Sequence, residues 1–458
     1  MTGFLKGLVA VTVGSGTVLL YRQYGIKSVK CEENDQRENN IADTRTRKPR
    51  KLNVRTLESA ISQAEQILNG LKAEVGSPGL SVSVSIDGTP VWKKGYGFSD
   101  IENQVPCKAD TVMRIASISK PLAMLAAARL MEEGKLDLDK PVQEYVQDFP
   151  EKEWKGEKVT LTTRMLVSHL GGIRHYEKKG KNGNKDEFQF DEYYIKEKYD
   201  DVCKTLDLFK HDPLLKKPGE EFLYTTHGYG LLSAVIQKAA GKKFELQMKQ
   251  IFKDLDLVNT YLDENEPLIY NRARYYVKNN KGRLVNAPYV DNSWKWAGGG
   301  FVSTVEDLVK FGNAMLYAYQ YQGSGRVETE GRGNTAASIP HSQNPPGYIK
   351  PDTILTLWTP VPKTKCSWDA DGYYGMGWAV VPYMQKHGGC REQRFYVSHT
   401  GGAVGASSAL VVLPRRCVDL SQNLPQGVTV AILANLQSVG MGKTALKIAK
   451  LFDEVDLS

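Results

Sequence analysis

The alternation of apolar and polar positions changes near residue 56. Residues 32–55 are polar and hold almost no large apolar side chain. Such a stretch cannot bury enough surface to offset the entropy of ordering it, so it is predicted to be a linker. From there on, Leu57, Ile61, Ile67 and Leu71 recur at a spacing that fits one face of a helix, which marks the start of a folded body.

The folded body begins and ends with strand-like patterns. Residues 79–88 alternate between serine and aliphatic side chains with a period of two, and a turn at Asp87-Gly88 leads to a second predicted strand at 90–97. Further apolar runs predict strands near the C-terminus, at residues 375–381, 394–398, 407–413 and 428–434. Strands at both ends with helices between them imply a discontinuous α/β domain that a helical part interrupts.

The helical part is predicted between these strands. Residues 117–133 are rich in Ala, Leu and Met and predict a long helix, and a final helix is predicted at 441–453. We expect a sheet subdomain at about 56–115 and 350–458 and a helical subdomain at about 116–349. Two segments, 177–199 and 322–348, are predicted surface insertions because they are polar, and the second is rich in Gly, Ser, Asn and Pro.

The first 31 residues predict a targeting or membrane-anchor segment. Residues 7–21 carry no charge and are flanked by Lys6 and Arg22, and no acidic residue precedes Glu32. A membrane-spanning helix needs about 20 apolar residues, so the stretch is short for that role. The lack of acids is typical of organelle import and favours the mitochondrion, with a secretory signal or a membrane anchor as alternatives. No N-x-[ST] sequon occurs, which disfavours secretion.

Composition and charge exclude several classes of protein. With 41% hydrophobic and 24% charged residues, the chain is neither largely disordered nor a polytopic membrane protein. Half of the net charge of +8 lies in the first 31 residues, so the folded body is close to neutral and gives no reason to expect nucleic-acid binding. No C-x-x-C or H-E-x-x-H motif is present, and we expect no metal and no cofactor.

The first candidate for chemistry is Ser117-Ile118-Ser119-Lys120, directly before the long apolar helix. Pro121 is tolerated in the first turn of a helix, so Ser117 is expected at the N-terminal end with Lys120 one turn further on the same face. A serine hydroxyl is a weak nucleophile until a neighbouring group takes its proton. The pair therefore indicates an acyl-transfer nucleophile with a basic side chain beside it.

A second candidate is Tyr224, in a loop before a predicted helix. A tyrosine can act as a general base if nearby cations lower its pKa, and this is the expectation at Tyr224. His169 and His175 flank a Gly-Gly turn and are interpreted as structural residues.

Two glycine-rich segments complete the set. In Val397-Ser-His-Thr-Gly-Gly402, which falls next to a predicted strand, the glycines allow close approach of a substrate and let a backbone N–H point at an oxyanion. In residues 296–308, three glycines form a turn into a helix that begins with a Ser-Thr cap.

In order along the chain, these motifs resemble those of class C β-lactamases and serine penicillin-binding proteins, namely Ser117-x-x-Lys120, Tyr224-x-Thr226 and His399-Thr400-Gly401. The resemblance extends over about residues 57–456 and includes Tyr374-Gly-Met-Gly-Trp378. It implies a β-lactamase/transpeptidase-like α/β (α+β) fold, with an antiparallel sheet, flanking helices and an inserted helical domain.

The resemblance also implies catalytic roles. Ser117 would be acylated, and Lys120 would hold or relay its proton. Tyr224, as a phenolate, would be the partner base and would then protonate the leaving group. His399 stands where many relatives have lysine, and it would join the hydrogen-bond network and contact a substrate carboxylate.

The remaining implied roles concern the oxyanion and the substrate. The N–H groups of Ser117 and Gly402 would form the oxyanion hole, and Thr400 and Gly401 would belong to the substrate-binding strand. Thr226 stands where the family usually has asparagine. Because a threonine side chain cannot act as both amide donor and acceptor, contacts to a lactam side chain are in doubt.

The leading hypothesis is a serine hydrolase that cleaves a peptide or amide bond through an acyl-enzyme. The first alternative is a scaffold or filament protein with vestigial catalysis, and the second is a β-lactamase or DD-peptidase. Together with the leader, the motifs resemble a mitochondrial, protease-like branch of the family found in animals. That resemblance implies localisation in the intermembrane space, homo-oligomers or filaments, and possible membrane contact through the N-terminus.

Overall fold

The computed structural model describes residues 55–176, 192–321, 347–366, 371–386, 391–416, 418 and 423–456. The predicted leader, nearly all of the predicted linker and most of both predicted insertions lie outside these residues. Arg55, the last residue assigned to the linker, belongs to the folded body because its guanidinium donates to Glu454 at 3.0 Å.

The helices confirm the periodic stretches read from the sequence. In chain order they are α1 (Leu57–Val75), α2 (Ser119–Glu132), α3 (Thr163–Val167), α4 (His227–Ala240), α5 (Phe244–Asp254), α6 (Trp296–Gly299), α7 (Val305–Gln320), α8 (Pro351–Leu357) and α9 (Gly442–Asp453). The predicted cap is present on α7, where Oγ1 of Thr304 accepts from the N–H of Asp307 at 3.2 Å.

The strands are β1 (Gly79–Ile86), β2 (Thr89–Asp100), β3 (Val105–Pro106), β4 (Met113–Arg114), β5 (Lys152–Trp154), β6 (Glu157–Val159), β7 (Tyr261–Leu262), β8 (Tyr276–Lys278), β9 (Leu284–Asn286), β10 (Phe301–Ser303), β11 (Tyr373–Tyr374), β12 (Ala379–Val381), β13 (Met384–Lys386), β14 (Arg391–Gln393), β15 (Tyr396–Ala403), β16 (Ala406–Pro414) and β17 (Gly427–Ala434). Eight form the main antiparallel sheet, in the order β11-β12-β15-β16-β17-β1-β2-β3.

Both faces of the sheet centre are covered, although the alternating sequence of β1 would also suit a strand with one exposed face. Every residue of β1 is buried. Its aliphatic side chains pack with α1 and α9, and its serines face α7, where the hydroxyl of Ser85 donates to Oδ1 of Asn313 at 2.8 Å. Ser85 is thus accommodated by a hydrogen bond to the helix layer on the second face, whereas the buried Ser81 hydroxyl has no partner within the described residues.

The C-terminal strands differ from the prediction in two places. The predicted strand at 375–381 is interrupted by a turn at Gly377, whose φ is +80°, so it begins only at Ala379 as β12. A side chain at Gly377 would also collide with Met124 of α2. The His399-Thr400-Gly401-Gly402 segment lies within β15 and not beside it, because β15 continues to Ala403.

The helix that follows the candidate nucleophile, α2, is largely buried. Eleven of the 14 residues of α2 are buried, as expected for a helix that is apolar on all sides. It packs against α4, α5 and α6, and a 3-10 turn at Ala116–Ile118 connects it to β4. The division into sheet and helical subdomains stays a prediction. Of the helices in the described ranges, none combines the length and apolarity that a membrane crossing requires.

Candidate active site

Ser117 lies in the 3-10 turn directly before α2, between the main sheet and β10. The turn is fixed from both sides: the N–H of Ile115 donates to Phe301 at 3.1 Å, and the hydroxyl of Ser408 donates to the carbonyl of Ile115 at 2.7 Å. Ala116 has a φ of +48°, which is unusual for a residue with a side chain. Such strain is typical of functional sites, where the surrounding structure over-determines the backbone.

Lys120 lies one turn after Ser117, as the sequence predicts. Its Nζ is 3.0 Å from Oγ of Ser117 and donates to the carbonyl of Gly298 at 2.6 Å. The side chain is fully buried, over the rings of Tyr224 and Tyr229. Burial, and then the charge of Lys295, hold the pKa of Lys120 well below its usual range. A neutral amine can accept the proton of the serine hydroxyl.

Tyr224 contacts the same hydroxyl but differs from the expectation in its protonation. Its phenol hydrogen bonds to Ser117, and Nζ of Lys120 lies 4.8 Å from its ring centroid. Burial raises the pKa of Tyr224, and the hydrogen bond to Ser117 offsets this only in part. The predicted lowering of this pKa is therefore wrong, because burial of the phenol outweighs the hydrogen bond that favours its ionised form. Tyr224 enters the site as a phenol.

His399 faces the cavity from β15, and both of its ring nitrogens are engaged within the protein. Nε2 lies 2.8 Å from the hydroxyl of Tyr374, and Nδ1 lies 2.7 Å from the carbonyl of Thr400. Burial, and then Lys120, lower the pKa of His399 to about 3. A neutral imidazole whose Nδ1–H donates to Thr400 accepts at Nε2. His399 thus brings no positive charge to the cavity, and its expected contact with a substrate carboxylate stays a prediction.

These groups border a cavity of about 260 Å³, lined by Ser117, His175, Tyr176, Tyr224, Thr226, Ala379, His399, Thr400 and Gly402. Gly401 is not among the lining residues. A Cβ at Gly401 would overlap the carbonyl oxygen of Ile115 and Oγ of Ser408. Gly401 therefore allows β15 to pack against the turn that carries the nucleophile, and its expected role in substrate binding stays a prediction.

One wall of the cavity was missed by the sequence analysis. His175, interpreted as structural, lines the cavity and stacks on Tyr176 at 3.9 Å between ring centroids. Both hold the Thr226 segment: Nδ1 of His175 accepts from the N–H of Thr226 at 3.2 Å, and Tyr176 donates to the Thr226 hydroxyl at 3.2 Å. The only sequence signal was their position between the Gly171-Gly172 turn and a polar insertion. His169, by contrast, is fully buried, and its ring contacts that of Tyr224 in a tilted arrangement with 4.2 Å between the centroids.

A second buried amine, Lys295, was also missed. It belongs to a 3-10 turn just before α6 and is 3% exposed. Burial, and then Arg114, lower the pKa of Lys295 to about 7. Nothing in the local sequence distinguishes this lysine from a solvated one, since its burial follows from contacts with distant segments.

Because His169 and His399 are buried, we expect the protein to become less stable in acid. Burial lowers the pKa of both His169 and His399, so below the unfolded value of 6.5 the unfolded chain binds more protons than the folded one. Each histidine should reduce the free energy of unfolding by about 1.4 kcal/mol per pH unit as pH falls below 6.5. Denaturant unfolding at pH 7.5 and pH 5 measures this effect.

A pair of variants identifies the source of that acid sensitivity. His399→Gln should make the pH dependence shallower by about one proton. His211→Gln, on a solvent-exposed histidine, is the control and should leave the slope as in the wild type. Equal stability at pH 7.5 and pH 5 in the wild type would contradict the burial of neutral imidazoles.

Comparisons with known proteins agree with the motifs and the topology. The Beta-lactamase family model matches residues 64–451. The chain is similar to proteins named "Serine beta-lactamase-like protein LACTB, mitochondrial". The relative from Mus musculus is 48% identical, and the match covers 88% of this chain and 82% of the relative. The relative from Homo sapiens is 49% identical, over 87% of this chain and 81% of the relative.

Solved structures resemble the fold at lower sequence identity. The octameric penicillin-binding protein homologue from Pyrococcus abyssi has a TM-score of 0.64 at 23% identity, over 86% of this chain and 78% of that one. EstCE1, a hydrolase with promiscuous acyltransferase activity, has a TM-score of 0.64 at 19% identity, over 86% and 98% of the two chains. These similarities confirm the predicted β-lactamase/transpeptidase-like fold.

Proposed function

The chain belongs to the beta-lactamase family, and from this premise we propose that it is a serine hydrolase that cleaves peptide or amide bonds through an acyl-enzyme on Ser117. The observation that carries the proposal is the placement of the Ser117 hydroxyl. It lies 3.0 Å from a buried amine without a nearby carboxylate partner in the described part of the chain, and it opens into a cavity of about 260 Å³. A general base within hydrogen-bond distance of a serine hydroxyl is the arrangement that nucleophilic catalysis requires.

In the proposed acylation step, Lys120 acts as the base. Its neutral amine takes the proton of Ser117 while Oγ bonds to the substrate carbonyl carbon, and the carbonyl oxygen becomes an oxyanion. The N–H groups of Ser117 and Gly402 face that oxygen as donors. When the carbon–nitrogen bond breaks, the phenol of Tyr224 protonates the leaving nitrogen and recovers its proton from Lys120.

In the deacylation step, water replaces the amine. The regenerated amine of Lys120 takes a proton from water, the hydroxide attacks the ester carbonyl, and Ser117 leaves as the reprotonated alcohol. This assignment accords with the direction of both pKa shifts, because the amine is the group that burial makes neutral, whereas burial keeps the phenol protonated.

The cavity walls favour an amide or peptide over a β-lactam. His399 is uncharged, so it gives a lactam carboxylate no ion pair, and Thr226 offers a hydroxyl that already accepts from Tyr176. The β-lactamase alternative therefore loses two of the contacts that its substrate would use.

Mass spectrometry after treatment with a fluorophosphonate tests the proposal. The reagent phosphonylates a serine only when a base takes the proton from its hydroxyl. We expect one adduct, on Ser117, in the folded protein and none in Ser117→Ala. Unfolding the wild type in urea before adding the reagent should also abolish the adduct. If the folded wild type shows no adduct on Ser117, the protein is not a serine hydrolase of this mechanism, and the scaffold alternative takes its place.

We also propose a mitochondrial location. The relatives are named mitochondrial, and the acid-free first 31 residues are of the kind that organelle import uses. The intermembrane space, assembly into homo-oligomers or filaments, and membrane contact through the N-terminus stay predictions from the sequence.

A further inference from the structure

The charges around Lys120 differ from those around an ordinary lysine. Its ammonium position is surrounded by the Ser117 hydroxyl, the Gly298 carbonyl and the rings of Tyr224 and Tyr229. No carboxylate within the described ranges forms a salt bridge with it. A proton on Lys120 would therefore stay without a counter-ion in a site of low polarity.

The titratable groups that face Lys120 from the other elements do not supply a negative charge either. His169 and His175 lie on the segment after α3, and His399 lies on β15. Burial lowers the pKa of all three, so they are neutral imidazoles. The remaining charged neighbour is Lys295.

Lys295 is an electrostatic neighbour of Lys120, and Gly298 links the two. It precedes Gly298 by three residues, and Gly298 accepts from Lys120. Its Nζ lies 4.8 Å from the ring centroid of Tyr193, 5.0 Å from that of Trp294 and 5.6 Å from that of Tyr176. Such an aromatic enclosure stabilises a cation without neutralising it. Over the described segments, its ammonium has no hydrogen-bond or ion-pair partner.

The acids nearest to Lys295 are committed to other cations. Asp263 accepts from Nε of Arg114 and from Asn292, both at 2.6 Å, and lies 3.5 Å from Arg272.

Glu192 likewise is paired with a cation, Arg174. It accepts two bonds from Arg174, each at 2.7 Å, and lies 3.0 Å from His227. Two buried amines thus share a region in which the acids are already paired.

We propose that Lys295 is a positioning residue for the reaction: its ammonium, enclosed by Tyr176, Tyr193 and Trp294, repels a proton from Lys120 and so keeps Lys120 in the form that deprotonates Ser117. The inference deepens the proposed function and depends on it for the role of Lys120. Burial is the larger cause of the low pKa of Lys120, and Lys295 is the second. Because the pKa of Lys295 is about 7, its charge is present below that pH, where Lys120 would otherwise regain a proton.

The pH profile of fluorophosphonate labelling tests this role between pH 5 and pH 9. In Lys295→Met, which keeps the apolar stem, the midpoint of the acid limb should rise by about one pH unit. Labelling below the midpoint would then be about tenfold slower, with little change at pH 9. Lys295→Arg keeps the charge and should keep the wild-type midpoint. A profile of Lys295→Met that superposes on the wild type, or that is lowered equally at every pH, would overturn the inference.

A direct titration separates this inference from the proposed function. With lysine labelled at its ε-carbon with 13C, NMR follows the protonation of Lys120, whose signal is identified by its loss in Lys120→Met. The Lys120 midpoint should be higher in Lys295→Met than in the wild type, whether or not Ser117 reacts. Equal midpoints overturn the inference. A shifted midpoint in a protein whose Ser117 is never labelled supports the coupling and refutes only the proposed hydrolase.

Discussion

Lys120→Met should reduce fluorophosphonate labelling of Ser117 by roughly a thousandfold and at the same time raise the melting temperature. The loss follows from removal of the general base, whose contribution is typically about 10²–10⁴-fold. The gain in melting temperature follows because the wild type must remove a proton from Lys120 when it folds, whereas the variant has no proton to remove. At pH 7.5 an unfolded lysine is charged, and the cost of removing its proton is about 4 kcal/mol for a pKa near 10.4.

The sign of this stability effect depends on pH. Because the pKa of Lys120 is lower in the folded state, the unfolded state binds the extra proton, and the wild type loses stability as pH falls below about 10. Methionine avoids the cost of deprotonation on folding. However, it leaves the Gly298 carbonyl without a donor, which reduces the stability of the folded state by about 1–3 kcal/mol. A net gain of about 1–3 kcal/mol should raise the melting temperature by a few degrees, and the gain should grow from pH 9 to pH 7.

Differential scanning calorimetry at pH 7 and pH 9 measures the effect. Lys447→Met makes the same chemical change on the exposed side of α9 and should leave the melting temperature within about one degree. A Lys120→Met protein that is folded but melts below the wild type at both pH values would show that Lys120 is charged in the folded state.

Gly401→Ala should reduce both the stability of the fold and the reactivity of Ser117 through a packing clash, without changing a titratable group. The new Cβ would overlap the Ile115 carbonyl and Oγ of Ser408, and it would lie 2.8 Å from Cβ of Ala116. To admit it, β15 and the turn that carries Ser117 must separate. Overpacking of this kind costs about 1–3 kcal/mol, and a displacement near 1 Å at a nucleophile reduces the rate by about a hundredfold.

The neighbouring glycine provides a matched control. A Cβ at Gly402 would have no heavy atom within 4 Å, so Gly402→Ala should keep the wild-type stability. Urea unfolding of both variants, with labelling of Ser117 in the folded state, separates the two positions. Equal stability of Gly401→Ala and Gly402→Ala would show that β15 does not pack tightly against the Ser117 turn.

The parts of the site that follow from local periodicity could be predicted from the sequence. Ser117 and Lys120 are three residues apart, so helical geometry alone brings them to the same face. The ends of β16 and β17 were also predictable, because aliphatic runs that are buried on both faces are long and uninterrupted. The break in the predicted strand at Gly377 could not be predicted, because it depends on the nearby Met124 side chain of α2.

The electrostatics of the site could not be predicted from neighbours in the sequence. The pKa of Tyr224 was expected to fall because a lysine lies close, yet burial removes water from both groups and reverses the direction. Lys295 enters the site through contacts with Tyr176 and Tyr193, more than 100 residues earlier in the chain, and His175 through its bond with Thr226, 51 residues later. The motif predicted the position of His399. It did not predict that Nε2 of the imidazole is engaged by the hydroxyl of Tyr374.

The pairing of the first strand with the last one bears on how the polypeptide matures. β1 lies between β2 and β17, with Leu80 opposite Ala434, so its inner neighbour leaves a ribosome or a translocation pore long after β1 does. Until then the aliphatic side chains of β1 have no complete surface to cover them, and closing so long a loop makes folding slow. We therefore expect chaperones to bind the N-terminal third during synthesis and truncated chains that lack β17 to be cleared.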